Sequence, residues 1–421
     1  MPFALSGASV RPGVATRRLI PGMAAIRDTN PPRAVVLILP GVASRRLSAR
    51  DASIRDASRA SICPSQVTST RTHPHIVHDQ GDAGGGESQS GRMPYPPRPL
   101  PPSLGPQFSS ARAIAEGVTR RRLRARDLEA PFHGVRRLVT PRHADDLGLD
   151  QPPLALDRQI RAAVLRDALT FGQVMPSGSF FAGRTAAILH GLPADPLEDL
   201  EVAVMAPRRA PRGQGVRGRK IAEQFVTVSI LRGLPVASPV SAWAMLGRDL
   251  TERELVILAD AIVRVPRDDS GRRHPELSLA TRDQLQAAVD ASTGRPGSRR
   301  LRAALPRVRE GSASPLETDF RLDAEAGGLP RPDLDIEIRN HNGALIGISE
   351  IVYPRLRVVV EIEGDHHRTS RQQWNRDIDK YRAYAAEGWE VVRLTSAHIR
   401  GRRPSAVQIV REILLRRGWT P

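Results

Sequence analysis

Three carboxylates recur at short spacing near the C-terminal end: Glu350, then Glu361 and Glu363 within Val358-Val-Val-Glu-Ile-Glu363. Strand alternation places Val358, Val360 and Ile362 on one face, and Val359, Glu361 and Glu363 on the other. A tight hairpin at Pro354-Arg355 sets Glu350 opposite Val359 and diagonal to Glu361, within reach of a shared cation. Acids so crowded repel one another unless a cation or a proton intervenes. A solvated strand face is the plain alternative, but the apolar run from Val358 to Ile362 reads as a buried strand and favours a site. Asp365-His366-His367 follows, where an imidazole can handle a proton or simply cap an exposed turn. Glu317 follows Ser314-Pro315 and is also explained as the acid that closes a helix capping box.

A second cluster is cationic. Arg120, Arg121, Arg122, Arg124 and Arg126 occupy five of seven positions, with only Asp127 and Glu129 nearby. Such a run can reach phosphates and guanine edges, or be a solvated face in an arginine-rich chain. The whole chain supports the first reading. Of its 63 Lys+Arg only Lys220 and Lys380 are lysine, against 45 Asp+Glu, for a net charge of +18. Codon bias explains arginine in place of lysine but not the excess over acids. A polyanionic partner is expected, nucleic acid ahead of a membrane surface. The single cysteine, Cys63, excludes an internal disulfide framework and a zinc finger. No apolar run approaches a membrane span, and the expected location is the cytoplasm.

The elements that must position these residues are read in order. Residues 1–92 lack apolar periodicity and are expected to be a disordered tail, with Met93 as the native start. Arg17-Arg18 resembles a twin-arginine signal, but its apolar stretch is too short. A proline-rich linker covers 93–106. A helix capped by Ser109 or Ser110 runs through Ala115 and is broken at Gly117. Thr119 caps a second helix from Arg120 to Leu128, and a strand pair turns around Pro131–Arg137. That order, over 107–140, is that of a winged helix-turn-helix whose second helix enters the major groove.

Residues 141–265 alternate helices (Leu154–Leu169, Ser179–Leu189, and Thr251-capped through Val263) with strands (Leu200–Met205, Phe225–Leu231). Pro207 to Lys220 reads as a basic loop, and 266–312 as a helical linker. From 313 to 421 the pattern is αβββαβα: a helix from Ser314, strands at Leu334–Arg339, Leu345–Tyr353 and Arg357–Glu363, a helix from Ser370 to Glu387, a strand at Trp389–Leu394 and a helix at Ser405–Arg416. Within the long helix, Lys380 is expected to pair with Asp377 at i,i+3, although it can also supply a cation to the carboxylates. The expected fold class is a multidomain α+β chain with a small α/β middle domain.

Two resemblances follow from these residues. Ser179-Phe-Phe-Ala-Gly-Arg-Thr-Ala-Ala-Ile-Leu-His-Gly-Leu192, Leu200–Val204 and Gly233-Leu-Pro-Val-Ala-Ser-Pro239 resemble the AbiEi-type antitoxins, which pair a winged helix with a small α/β domain. Glu350 through His367, with Asp377 and Gly388-Trp-Glu-Val-Val-Arg393, resembles the PD-(D/E)xK nuclease superfamily, in the branch related to very-short-patch repair endonucleases. The second resemblance implies a restriction-endonuclease-like fold, metal on Glu350 and Glu361, His367 beside the scissile phosphate and Glu317 as an accessory acid. Two positions depart from that pattern: Glu350 stands where Asp is usual, and Glu363 where Lys is usual.

The function expected is Mg²⁺- or Mn²⁺-dependent hydrolysis of DNA phosphodiesters, in which the metal polarises the phosphate and lowers the pKa of a bound water. The second reading is an antitoxin or transcriptional repressor, with a cognate toxin as partner and a nuclease fold that does not cut. DNA and RNA present the same phosphates and are not separated by the sequence.

Overall fold

The computed structural model describes residues 97–139, 153–363 and 371–421, with side chains described except at 153–156 and 371–377. The expected tail 1–92, Met93, Asp365, His366, His367 and the side chain of Asp377 lie outside the described residues. The chain is a mixed α/β protein, with three sheets among the described residues. Among the described residues no helix is long and apolar enough to cross a membrane.

The first sheet has the order β1 (Gln107–Ser109), β3 (Val135–Leu138), β2 (Leu128–Glu129). Helix α1 (Ser110–Ala115) is capped by Ser109, whose hydroxyl accepts from the Arg112 amide at 3.2 Å. Phe108, Ala113, Val118 and Leu123 form the small core. The helix expected from Arg120 to Leu128 does not form. Thr119 caps a single 3-10 turn, Arg122–Arg124, and the backbone is already extended at Ala125. Leu123 is the one apolar anchor in that turn, so no stripe exists to hold a longer helix. Asp127 turns back to clasp Arg122 at 2.6 and 2.8 Å, and Leu128 enters the sheet against Leu138.

After α2 (Pro153–Gly172), the middle sheet has the order β6-β5-β4-β8-β7. Its strands are β4 (Ser179–Phe181), β5 (Leu200–Met205), β6 (Val216–Ile221), β7 (Val228–Leu231) and β8 (Leu234–Ala237), with α3 (Gly183–Leu189) after β4. Ser179–Leu189 was expected as one helix. Instead Ser179–Phe181 pairs with β5 because Phe180 and Phe181 bury on both sides of the sheet, and the helix starts only at Gly183. The basic loop expected at Pro207–Lys220 gives its second half to β6, paired in parallel with β5. Phe225 lies in a 3-10 turn, so β7 begins three residues later than expected.

Helices α4 (Pro239–Met245), α5 (Glu252–Val263), α6 (Arg282–Ala291) and α7 (Ser298–Ala304) build the largest core. The Thr251–Glu254 capping box forms as expected. Trp243 is fully buried and donates Nε1–H to the Leu255 carbonyl at 3.0 Å. Residues 266–312 supply Leu285, Val289, Leu301, Leu305 and Val308 to this core.

The C-terminal unit contains α8 (Pro315–Ala326), β9 (Asp333–Arg339), β10 (Leu345–Tyr353), β11 (Val358–Glu363), α9 (Arg371–Ala386), β12 (Glu390–Thr395), α10 (Ser396–Arg400) and α11 (Ala406–Arg416). The sheet order is β12-β11-β10-β9, with β11 and β12 parallel. Val358, Val360 and Ile362 pack against the α8 and α11 side, and Val359 against Tyr384 of α9, which is the alternation expected. Leu322 of α8 also enters the α4–α7 core. Beneath it, the fully buried Arg321 meets buried Asp260 of α5 at 2.8 Å.

Candidate active site

The β10–β11 hairpin sets the register of the candidate acids. The expected tight turn at Pro354-Arg355 is a wider one: Pro354–Leu356 forms a 3-10 turn and Arg357 takes the left-handed conformation at φ +50°. Val352 therefore pairs with Val359, and Ile351 with Val360. Glu350 is not opposite Val359; the wider turn moves it toward Glu361. The strand also changes phase here. Ser349 and Val352 are three apart yet both face Tyr384, so an irregularity falls at Glu350 and Ile351 between them. On the neighbouring strand Asp335 takes φ +55° at the same level.

Glu361 is held from both sides. Its Oε1 accepts from Ser349 Oγ at 2.9 Å and from Lys380 Nζ at 3.1 Å. Lys380 also donates to the Ile348 carbonyl at 3.1 Å, and Ser349 Oγ lies 2.8 Å from the buried Tyr384 hydroxyl. Lys380 and Tyr384 are one helical turn apart on α9 and so present to the same strand pair. Gly347 makes room for them: a Cβ there would stand 2.9 Å from both Lys380 Cε and Tyr384 Oη. Glu350 turns its Oε2 to the Ile362 amide at 3.1 Å. Lys380 therefore serves the carboxylate site; the side chain of Asp377, its expected surface partner, lies outside the described residues.

Glu317 approaches from the start of α8. Ser314 caps that helix, but Glu317 Oε2 accepts from the Ala313 amide at 2.6 Å in place of the expected bond to the cap's own amide. Burial pushes the Glu317 carboxyl up to about 7, with Glu361 adding to the rise and the Ala313 and Ser314 bonds opposing it. Glu350 rises well above the carboxylate range through burial, then through repulsion from Glu317 and Glu361. Burial works against the charge of Lys380, yet the Glu361 carboxylate holds its pKa above the usual amine value.

Three acids thus crowd one amine, an arrangement that a proton or an oxygen-loving cation relieves. Mg²⁺ is commonly held by one or two carboxylates together with substrate phosphate, and Glu350 with Glu361 fits that donor set. Among the described residues no three His, Cys, Asp or Glu side chains converge as a ready cage. Glu363 is drawn away from the pair: its Oε1 takes Arg393 Nε at 2.7 Å and Tyr381 Oη at 3.4 Å.

Sequence reasoning passed over Ser349 and Tyr384. The usable signal was Lys380 itself, one of two lysines among 61 arginines. A compact amine suits a tight carboxylate pocket where a planar guanidinium does not.

The Arg120–Arg126 cluster is not brought to bear as a helix. Arg120, Arg121, Arg124 and Arg126 are exposed, while Arg122 is committed to Asp127 and to the Arg98 carbonyl.

The Glu317 shift gives a pH prediction. The folded state holds this proton up to about pH 7, whereas an unfolded glutamate releases it near 4.5. The folded chain therefore binds more protons across that window, and stability falls as pH rises through it. Glu317→Gln should remove this dependence and raise the melting temperature at pH 8 relative to wild type. Parallel wild-type and variant melting curves from pH 5 to 8 would sink the assignment.

No family model matches this sequence. Two proteins of Mycobacterium tuberculosis, the uncharacterized proteins MT2308 and Rv2248, are each 23% identical over 231 residues, covering 54% of this chain and 79% of theirs. The crystal structure of the RV2827C protein from Mycobacterium tuberculosis matches at 19% identity over 48% of this chain and 71% of that one, with a TM-score of 0.28.

Proposed function

We propose that the C-terminal unit is a metal-dependent phosphodiesterase acting on DNA, with a restriction-endonuclease-like fold of the PD-(D/E)xK superfamily. The carrying observation is Glu361 bonded to Lys380 at 3.1 Å, with the crowded Glu350 close by on the partner strand of the β10–β11 hairpin. Glu350 and Glu361 would hold Mg²⁺ or Mn²⁺, which when bound supplies Lewis acidity to a phosphate and a more acidic water.

The chain's own groups do the rest. Ser349, backed by Tyr384, fixes the Glu361 carboxylate, so little reorganisation is left for substrate binding. Lys380 keeps a full positive charge beside the acids and can bind a non-bridging phosphate oxygen. Glu317 holds a proton near neutral pH next to the acid pair.

A second reading is favoured by the same electrostatics. Burial and the neighbouring Glu317 and Glu361 disfavour charge on Glu350, and Glu361 is already paired with Lys380, so the network does not require a metal to balance it. An antitoxin or repressor with an AbiEi-like middle region and a cognate toxin is consistent with that. Nicking of supercoiled plasmid separates the two readings. The first expects nicking in Mg²⁺ or Mn²⁺ that EDTA abolishes. Sequence-specific promoter binding with no nicking in either metal overturns it in favour of the second.

A further inference from the structure

An open cleft of about 550 Å³ lies between the α6–α7 loop and the chain that follows α4. Arg248, Arg295, Arg299 and Arg300 line it, together with Gly294 and Gly297, and no carboxylate does. In a chain with 45 acids, four arginines around one concavity without an acid among its lining residues is a local choice that codon bias does not make.

The cleft is built. Gly297 sits at φ +91°, and a Cβ there would overlap the backbone of Gly247 and Arg248, so the loop docks directly on that chain. The Arg295 guanidinium stacks 4.0 Å above the Phe225 ring centre. Arg300 is tied to the carbonyls of Arg248 at 2.8 Å and Leu250 at 3.3 Å. Arg248 reaches its acidic neighbour Asp249 only at 3.6 Å, while Asp249 holds Arg219 at 2.9 Å. Arg299 is exposed at the rim. Two guanidinium groups are therefore immobilised by contacts that leave their charge uncompensated, and two more extend into solvent beside them.

Guanidinium forks match phosphate oxygens in pairs. Four of them around an open cleft suit a chain of phosphates better than one small anion. We propose that this cleft grips the phosphodiester backbone of a nucleic acid, a role that the single turn at Arg122–Arg124 is poorly shaped to fill alone. The assignment rests on the nucleic-acid ligand of the proposed function but not on cleavage.

The test uses the full chain in EDTA, with fluorescence anisotropy of a short duplex DNA across a salt series. Single-stranded DNA and RNA of equal length serve as further arms, which identify the polynucleotide preferred. Arg248→Ala with Arg299→Ala removes two exposed side chains and should leave the melting temperature unchanged. On duplex, the salt slope should become shallower by about 1.8, since each lost contact removes roughly 0.9. On that basis affinity near 0.15 M salt should fall about thirtyfold. Arg248→Lys with Arg299→Lys should keep most of the slope, because the contacts are charge-driven. An unchanged slope in the alanine variant, or no wild-type binding to any of the three polynucleotides at low salt, overturns the proposal. Plasmid nicking in Mg²⁺, measured in parallel, reports on the cleavage reading separately.

Discussion

Glu361→Ala should abolish metal-dependent nicking while leaving the chain folded. Loss of a group that merely orients a metal ligand costs about 10- to 100-fold, so loss of the ligand itself should exceed a hundredfold. The variant also frees Lys380, which keeps the Ile348 carbonyl, and Ser349, which keeps Tyr384. Repulsion on Glu350 and Glu317 falls in the same step, which offsets part of the cost of leaving the Lys380 amine without its carboxylate, so the metal-free variant should stay folded. In wild type, Mg²⁺ should raise the melting temperature, because a ligand bound only by the native state stabilises it by mass action. Glu361→Ala should lose that increment. Nicking that persists at wild-type rate in the variant would place the chemistry elsewhere.

The largest stability effect is expected far from the acids, at Asp260. This carboxylate accepts from Arg321 Nη2, Thr318 Oγ1 and the Arg309 amide, each at 2.8 Å, and both it and Arg321 are essentially without exposure. Asp260→Ala leaves a buried guanidinium whose remaining ion partner among the described residues is Glu325, at 3.3 Å. Breaking one side of a buried pair costs about 3–5 kcal/mol, whereas replacing both by apolar residues of similar volume is often neutral. Asp260→Leu with Arg321→Met should therefore recover most of what Asp260→Ala loses. Denaturant melts of the three variants test this, and a single-variant cost under about 1 kcal/mol would refute it. Because α5 and α8 share this pair, the loss should be felt by the middle and C-terminal units together.

Much of the C-terminal unit was legible because its signals are local. The Val358–Ile362 alternation, the Ser314 cap and the glycine at 388 each act over a few residues, and the strand and helix order followed from them. Register was harder. It depended on how the chain turns at Pro354–Arg357, and the left-handed Arg357 widened the expected hairpin. The irregularity beside Glu350 answers to a packing demand, with Ser349 drawn toward Tyr384 from a helix 35 residues away. The same limit explains Lys380. Its i,i+3 neighbour was visible in the sequence, while its partners on β10 and β11 are tertiary. At Arg120–Leu128 the error ran the other way: arginine favours helix, but a stretch with one buried anchor has nothing to hold it against the sheet.

The scarcity of lysine has a practical reach. The sequence holds two side-chain amines, Lys220 on an exposed strand position and Lys380 inside the acid pocket. Among side chains an amine-selective acylating reagent thus finds one open target and one guarded by ion pairing, and mass spectrometry after digestion at arginine, which acylation leaves intact, places each on its own peptide. The labelling rate at Lys380, normalised to Lys220, becomes a built-in gauge of the pocket. It should rise when Glu361 is removed and respond to whatever cation or phosphate enters.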